Sequence, residues 1–214
     1  MSLKYLIIIA QPPVFVKDYF GKKQIFFSGV LQPMGNAGII SSASPFSKEE
    51  SPMKQPKENK TNAMRRLEDA HIPYEVKTYP HGDEAVDGVT VARSLGQDPD
   101  SVFKTLVARG ASGGYYVFDI PVNEELDLKK AAKAVGEKNV ALIAVKELLP
   151  LTGYVRGGCS PIGMKKHFPT TIHETAQLYD QIAVSGGKIG VQVLVEPVAL
   201  CQLVEGQFAD LTRD

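Results

Sequence analysis

Phe103-Lys104-Thr105-Leu106-Val107-Ala108 and Tyr115-Tyr116-Val117-Phe118-Asp119-Ile120, with Gly110 to Gly114 between them, decide how this chain folds. Both runs are apolar, β-branched or aromatic, and the glycines between them supply a reversal, so they predict an antiparallel hairpin. Upstream, Ala63, Met64, Leu67 and Ala70 recur at helical spacing behind Thr61, a good N-cap, and Pro73 forces extended chain into a strand over Tyr74 to Tyr79. Val86, Val89, Ala92 and Leu95 form a second helical stripe that stops at Gly96, and Asp98-Pro99 opens a turn into the hairpin. Downstream, Asp127 caps a third helix carrying Leu128, Ala131, Ala132 and Val135, ended by Gly136. Short strands follow at Val140 to Ala144, Thr170 to Ile172, Gln181 to Val184 and Gly190 to Val195, interleaved with brief helical pieces, the last from Pro197 to Val204. Helices alternating with short strands, without an internal repeat, predict a strongly curved mixed sheet with helices against its outside.

The composition changes near residue 53. Before it, a β-rich stretch, a phenylalanine-containing stretch and a Gly/Ser-rich run lead into the charged connector Lys48 to Lys60. Residues 1–53 therefore read as an N-terminal appendage, non-native or weakly ordered, with Met53 able to serve as a start, and residues 54–214 as the functional domain. Of the 214 residues, 43% are hydrophobic and 22% charged, enough apolar material for a real core. Twenty-four basic residues balance 24 acidic ones, so any polyanion must be met by a local basic face rather than by a long-range field. Two cysteines, Cys159 and Cys201, form no disulfide framework, which fits a reducing, cytoplasmic setting. The apolar run Leu6 to Ala10 falls far short of the roughly 18 residues of a membrane span, and Gln11, Pro12 and Pro13 interrupt it as a signal core. Neither a membrane nor DNA is expected as a partner.

Familiar cofactor signatures fail. Ser185-Gly186-Gly187-Lys188-Ile189 resembles part of a P-loop, but Ile182 stands where a glycine is needed and Ile189 where the magnesium-binding hydroxyl is needed. His173-Glu174 begins like a zinc-protease helix, yet Gln177 replaces the second histidine, and no metal or cofactor site is expected. Three segments invite a ligand. Gly157-Gly158-Cys159-Ser160-Pro161-Ile162-Gly163 lets main-chain N–H groups approach a ligand with no Cβ in the way, and Val184 to Lys188 offers a hydroxyl, two permissive positions and a cation. Either is also readable as a plain tight turn. In the third, Lys104 and Thr105 interrupt an apolar strand; such a lysine points to solvent or into a sheet cavity, where it would be functional. Cys159 lacks a histidine placed by sequence to activate it, so it reads as a small packing residue. Lys129, Lys130 and Lys133 on one helix face, and Lys165, Lys166 and His167 after the first glycine loop, with Arg156 and Lys188, read as solvated surface or as a positive rim for a phosphate backbone.

Taken together, these segments resemble the YbaK family of free-standing aminoacyl-tRNA deacylases, similar to the editing domain inserted in bacterial prolyl-tRNA synthetases. The resemblance runs in order through Lys60 to Met64, Ile72-Pro73-Tyr74, Phe103 to Leu106, Leu126 to Ala132, Thr152 to Gly163 and Val184 to Lys188, and covers essentially Thr61 to Asp214. It implies a single α+β domain with a curved, barrel-like mixed sheet, helices flanking it and a cleft for the aminoacylated 3′ end of tRNA. It implies trans-editing hydrolysis of a mischarged ester, Cys-tRNA(Pro) first and Ala-tRNA(Pro) as the neighbouring possibility, with prolyl-tRNA synthetase as a further expected partner. The family's lysine maps to Lys104 and its glycine-loop contact to Gly157, with Gly158 beside it, as the catalytic positions. Tyr79, Thr105, Ser160, Ser185, Gly186, Gly187 and Lys188 are the expected substrate-binding positions. Two departures stand out: Cys159 replaces a residue often aliphatic in the family, and the segment after Tyr79 is short. An aminoacyl ester is already activated, so positioning plus charge on the carbonyl oxygen is the main requirement, and no metal or triad is needed. In the family the thiol of the substrate cysteine is thought to attack its own ester, which would explain why no protein nucleophile is evident. A catalytically weak module that binds tRNA or docks on the synthetase is the competing expectation from a different functional class.

Overall fold

The computed structural model describes residues 60–82 and 85–213. The appendage expected over residues 1–53 lies outside the described residues. Local capping chemistry starts the helices where side-chain oxygens can satisfy their free N–H groups. Thr61 accepts from the Met64 N–H at 3.2 Å and opens α1, Asn62–Asp69. Pro73 then leads into β1, Tyr74–Thr78. The Asp87 carboxylate accepts from the Thr90 N–H at 3.0 Å, so α2 is Gly88–Ser94 and begins later than the apolar stripe at Val86 suggests. Strands β2, Phe103–Gly110, and β3, Tyr115–Pro121, form the expected hairpin, with Phe103 opposite Pro121 and Arg109 opposite Tyr115. Asp127 caps α3, Leu128–Ala134, accepting from the N–H groups of Lys129 and Lys130.

After β4, Val140–Leu142, the chain forms α4, Val145–Thr152, a helix with Pro150 inside it that the apolar pattern does not announce. Strands β5 (Thr170–His173), β6 (Ile182–Ser185) and β7 (Val191–Val195) fall where expected to within a residue or two. Helix α5, Pro197–Leu203, has Pro197 in its first turn and Glu196 as its cap, and β8, Gln207–Ala209, is too short and polar to be read from sequence.

The strands assemble as two sheets. One has the order β1-β7-β6, all antiparallel; the other has the order β4-β2-β3-β5-β8, with β5 parallel to both β3 and β8. A parallel bridge between Val102, just before β2, and Ala183 of β6 joins them. The mixed, curved sheet is therefore continuous at one point and open beyond it; among the described residues no closed barrel forms.

Helices α1 and α5 place Leu67 and Leu200 in the main core with Ile172, Ile182, Val184, Val193 and Val195, all inaccessible to solvent. Full burial of one such side chain stabilises the fold by roughly 2 kcal/mol, so this cluster holds β5, β6 and β7 together. Ala131 and Ala132 of α3 lie against Phe118 and Ile120 of β3, while Ala92 of α2 packs with Val102, Val122 and Ala183 over the bridge.

Candidate active site

Beyond the Val102–Ala183 bridge, β2 and β6 go on with different partners, β3 and β7, and a cavity of about 140 Å³ is lined from both sides of that fork. Lys104 and Thr105 come from β2, Ser185 from the end of β6, Gln192 from β7, Tyr79 from just past β1, and Gly157 and Cys159 from the loop after α4. Val86, Gly88 and Val91, in and around α2, close another side. Five of the ten residues expected at the site, Tyr79, Lys104, Thr105, Gly157 and Ser185, thus share one small chamber.

Lys104 is half-buried, and its Nζ donates to the main-chain oxygens of Val122, at 3.0 Å, and Glu124, at 2.6 Å. Burial pulls its pKa down, while the carboxylates of Asp87, Glu125 and Glu124 oppose that pull. An ammonium has three N–H groups, and the third has no acceptor among the described residues. Thr105 donates from Oγ1 to Oδ1 of Asp119 at 2.6 Å. Ser185 accepts the Gly187 N–H at 3.2 Å.

Gly157 has φ +80°, and a Cβ there would lie 2.6 Å from the Cβ of Ala85, so both conformation and space demand glycine. Its N–H donates to no group among the described residues. The expectation that Gly158 contributes a second free amide is corrected by the structure. The Gly158 N–H donates to the Val155 oxygen at 3.0 Å, and a Cβ at Gly158 would press on the Lys188–Ile189 main chain at 3.0 to 3.2 Å. Gly158 serves close packing of two loops, and one amide rather than two is offered to a ligand.

The other expected positions do not line the chamber. Ser160 is inaccessible and accepts the Ile162 N–H at 3.2 Å, holding its own turn. Gly186 donates to the Val191 oxygen at 2.9 Å, and Gly187, at φ +89°, packs on the Tyr154 ring; both shape the hairpin that presents Ser185. Lys188 lines a neighbouring concavity of about 330 Å³ with His81 and Tyr154. A larger groove of about 480 Å³, lined by Arg65, Arg66, Lys166 and His167, holds none of the ten. On α3, Lys130 is paired with Asp210 at 2.9 Å.

Cys159 reaches the cavity, but burial, with the Asp119 carboxyl adding to it, pushes its thiol up to about 12. At neutral pH it is a thiol and not a nucleophilic thiolate. Among the described residues no three His, Cys, Asp or Glu side chains gather closely enough to hold a metal ion.

Two polar residues escaped the sequence reading. Gln192 lines the cavity, and its buried Oε1 has no partner among the described residues. Asp119 lies behind Thr105 with no solvent exposure, and its Oδ2 has no partner among the described residues. The signal for both is the same: a lone polar residue inside an apolar strand, Gln192 between Val191 and Val193, Asp119 between Phe118 and Ile120. The chamber thus offers a cation, an uncommitted amide and the hydroxyl-bearing side chains of Tyr79, Thr105 and Ser185 in a space suited to a small acyl group.

Comparison with known proteins follows the same line. Residues 83–203 match the aminoacyl-tRNA editing domain family. A protein of Enterococcus faecalis, EbsC, described as a candidate Cys-tRNA(Pro)/Cys-tRNA(Cys) deacylase, is 48% identical over 159 residues, 74% of this chain and 97% of its own length. The crystal structure of a candidate trans-editing enzyme for prolyl-tRNA synthetase superposes with a TM-score of 0.63 at 26% identity, covering 72% of this chain and 96% of that one. A hypothetical protein of 19% identity shares the fold, with a TM-score of 0.65 over 72% of this chain and all of its own.

Proposed function

The chain belongs to the aminoacyl-tRNA editing domain family, and on that premise we propose that it is a trans-editing hydrolase that removes the amino acid from mischarged tRNA, with Cys-tRNA(Pro) as its main substrate. The observation that carries this reading is the convergence of Lys104, Thr105, Ser185, Tyr79 and the Gly157 amide on one small chamber. The aminoacyl group enters the chamber and the terminal ribose stays at its mouth. The acyl carbonyl oxygen turns toward the uncommitted Gly157 N–H, and the Lys104 ammonium, fixed by two main-chain oxygens, adds positive charge. As a nucleophile, water or the substrate cysteine's own thiol, adds to the acyl carbon, negative charge grows on that oxygen, the bond to the ribose oxygen breaks, and the ribose oxygen takes up the proton the nucleophile gives up; where the thiol attacks, water then opens the cyclic thioester to free cysteine. Fixed donors lower this barrier because they need no reorganisation when the charge appears.

The choice of cysteine follows from size. A synthetase pocket built for proline rejects a residue of similar volume by only a few kcal/mol, so a second, small sieve is needed. The same chamber admits alanine, and the tRNA is handed over by prolyl-tRNA synthetase. Because the Cys159 thiol is held protonated, the protein itself presents no activated sulfur nucleophile, and a module that binds aminoacyl-tRNA without hydrolysing it is the second reading.

Cysteinyl, alanyl and prolyl esters on one tRNA separate the two. Turnover of the cysteinyl ester, with prolyl-tRNA spared, is expected; saturable binding without release would leave only the binding module. Lys104→Ala should lower turnover about 100-fold or more, as removal of a fixed charge-stabilising donor does, while the folded far-UV spectrum persists. Near wild-type release of cysteine by that variant would remove Lys104 from the active site.

A further inference from the structure

We propose that Asp119 is a positioning residue that fixes the Thr105 hydroxyl as an acceptor toward the cavity, so that the site favours an aminoacyl group with a side-chain donor, such as the cysteinyl thiol, over alanyl. This inference rests on the deacylase reading and names how the same chamber selects its substrate.

Asp119 pairs directly with Thr105 across the β2–β3 hairpin and is shut off from solvent. Thr105 lines the cavity and Asp119 does not reach it. A carboxylate can only accept, and a hydroxyl has a single proton. With that proton committed to Oδ1 of Asp119 at 2.6 Å, Thr105 has only lone pairs left for a ligand.

Ser185 is wired the other way. Its Oγ accepts the Gly187 N–H, and its own proton goes to no group among the described residues. Of these two side chains, Thr105 thus presents a hydroxyl of acceptor character and Ser185 one free to donate. A thiol S–H can satisfy Thr105, whereas an alanyl methyl leaves the oxygen facing an apolar group, which costs binding.

The groups around Asp119 leave this arrangement to Thr105. Ile172 of β5 is its neighbour on the other side, and Cys159 is a neutral thiol. Lys104, next to Thr105, spends two donors on the oxygens of Val122 and Glu124, and His173, next to Ile172, accepts the Leu211 N–H at its Nδ1 and lies 3.5 Å from the Thr212 hydroxyl at its Nε2.

The test is the ratio of kcat/KM for cysteinyl and alanyl esters on the same tRNA, measured at about pH 8 on the full chain. Asp119→Leu and Thr105→Val should each lower the ratio about fivefold, the worth of one hydrogen bond, and Thr105→Ser should keep it. The Asp119→Leu/Thr105→Val double variant should fall no further than either single one. In the wild type the ratio should also fall as pH drops through the range where Asp119 takes up a proton, because a protonated carboxyl can donate to Thr105 and turn its O–H outward. Titration of the substrate amine is common to both esters, but the cysteinyl thiol titrates at its ordinary value of about 8.5 and moves the ratio by itself, so the profile is compared with that of Thr105→Val, which lacks the hydroxyl under Asp119's control and should show only the substrate's own titration.

An active Asp119→Leu enzyme with the wild-type ratio, or single effects that multiply in the double variant, would overturn the inference alone. So would a pH profile of the ratio that is the same in the wild type and in Thr105→Val, which decides the matter if Asp119→Leu does not fold. Failure of the wild type to release either amino acid would instead fell the deacylase reading, and this inference with it.

Discussion

Asp119→Asn should stabilise the protein, and should do so more strongly in alkali than in acid. The Asp119 carboxyl has no solvent exposure, one hydrogen bond from Thr105 and one oxygen without a partner among the described residues. Burial pushes it from an ordinary 3.8 up to about 7, with the Thr105 hydrogen bond opposing the rise. The sign follows from the order of ionisation. As pH rises past 3.8 the unfolded chain gives up this proton while the folded chain keeps it, so stability present below the unfolded value is lost progressively until the folded carboxyl ionises near 7. Each tenfold difference in proton affinity is worth about 1.4 kcal/mol, so the loss is about 2 kcal/mol by about pH 5 and about 4 kcal/mol by about pH 8.5. Asparagine is neutral throughout and carries no such slope. The stability gap between Asp119→Asn and wild type should therefore widen by about 2 to 3 kcal/mol between these two pH values. Urea denaturation followed by far-UV circular dichroism measures it, since the chain has no tryptophan to report by fluorescence. A gap that stays constant across that interval would show that Asp119 ionises as readily folded as unfolded, and the account of its burial would be wrong.

Two further substitutions test the loop after α4. Gly157→Ala puts a Cβ against Ala85 at a φ of +80°, so it should cost about 1 to 3 kcal/mol in thermal denaturation and abolish deacylation; pairing it with Ala85→Gly should recover part of the stability. Cys159→Ala should keep turnover within about threefold of wild type, because a thiol held at about 12 is no nucleophile; a loss as large as that of Lys104→Ala would give Cys159 a chemical role.

Features decided by a few neighbouring residues were legible in the sequence. Thr61 and Asp127 start their helices as their side chains dictate, and the glycine-rich reversal after Arg109 sets the β2–β3 register. What needs distant partners was not. The division into two sheets turns on where β6 meets the start of β2, a pairing across about 80 residues that no local pattern encodes. Helix α4 was hidden because Pro150 breaks the propensity pattern, although it sits in the last turn, where only one internal hydrogen bond is lost. At the site, Lys104 was legible as a charge in an apolar strand and Gly157 as a glycine beside a Ser-Pro turn. The same glycine signal could not tell Gly157, with its free amide, from Gly158, Gly186 and Gly187, which serve turns and close packing, because conformational demand and ligand approach leave one mark in sequence. Asp119 is not legible as a buried group, because an isolated carboxylate in a strand is ordinarily turned to solvent.

The site's place in the fold follows from the fork itself. Within a sheet the main chain satisfies its own polar groups, and side chains on a buried face are apolar for that reason. Where β2 and β6 part after the Val102–Ala183 bridge, pairing between the two sheets stops and a cavity opens between them. The oxygens of Val122 and Glu124 need a donor there, and Lys104 supplies it, which brings a cation into the interior. Thr105 donates to one oxygen of Asp119 across the hairpin in the same region, the other oxygen having no partner among the described residues, and the Gly157 loop reaches the gap because it has no side chain to obstruct it. A fully paired ladder across the fork would have given a more continuous sheet with no room for a charge or a free amide. The polar groups available for the reaction are thus the ones the interrupted pairing leaves to be satisfied, and their rigidity is inherited from the strands on either side.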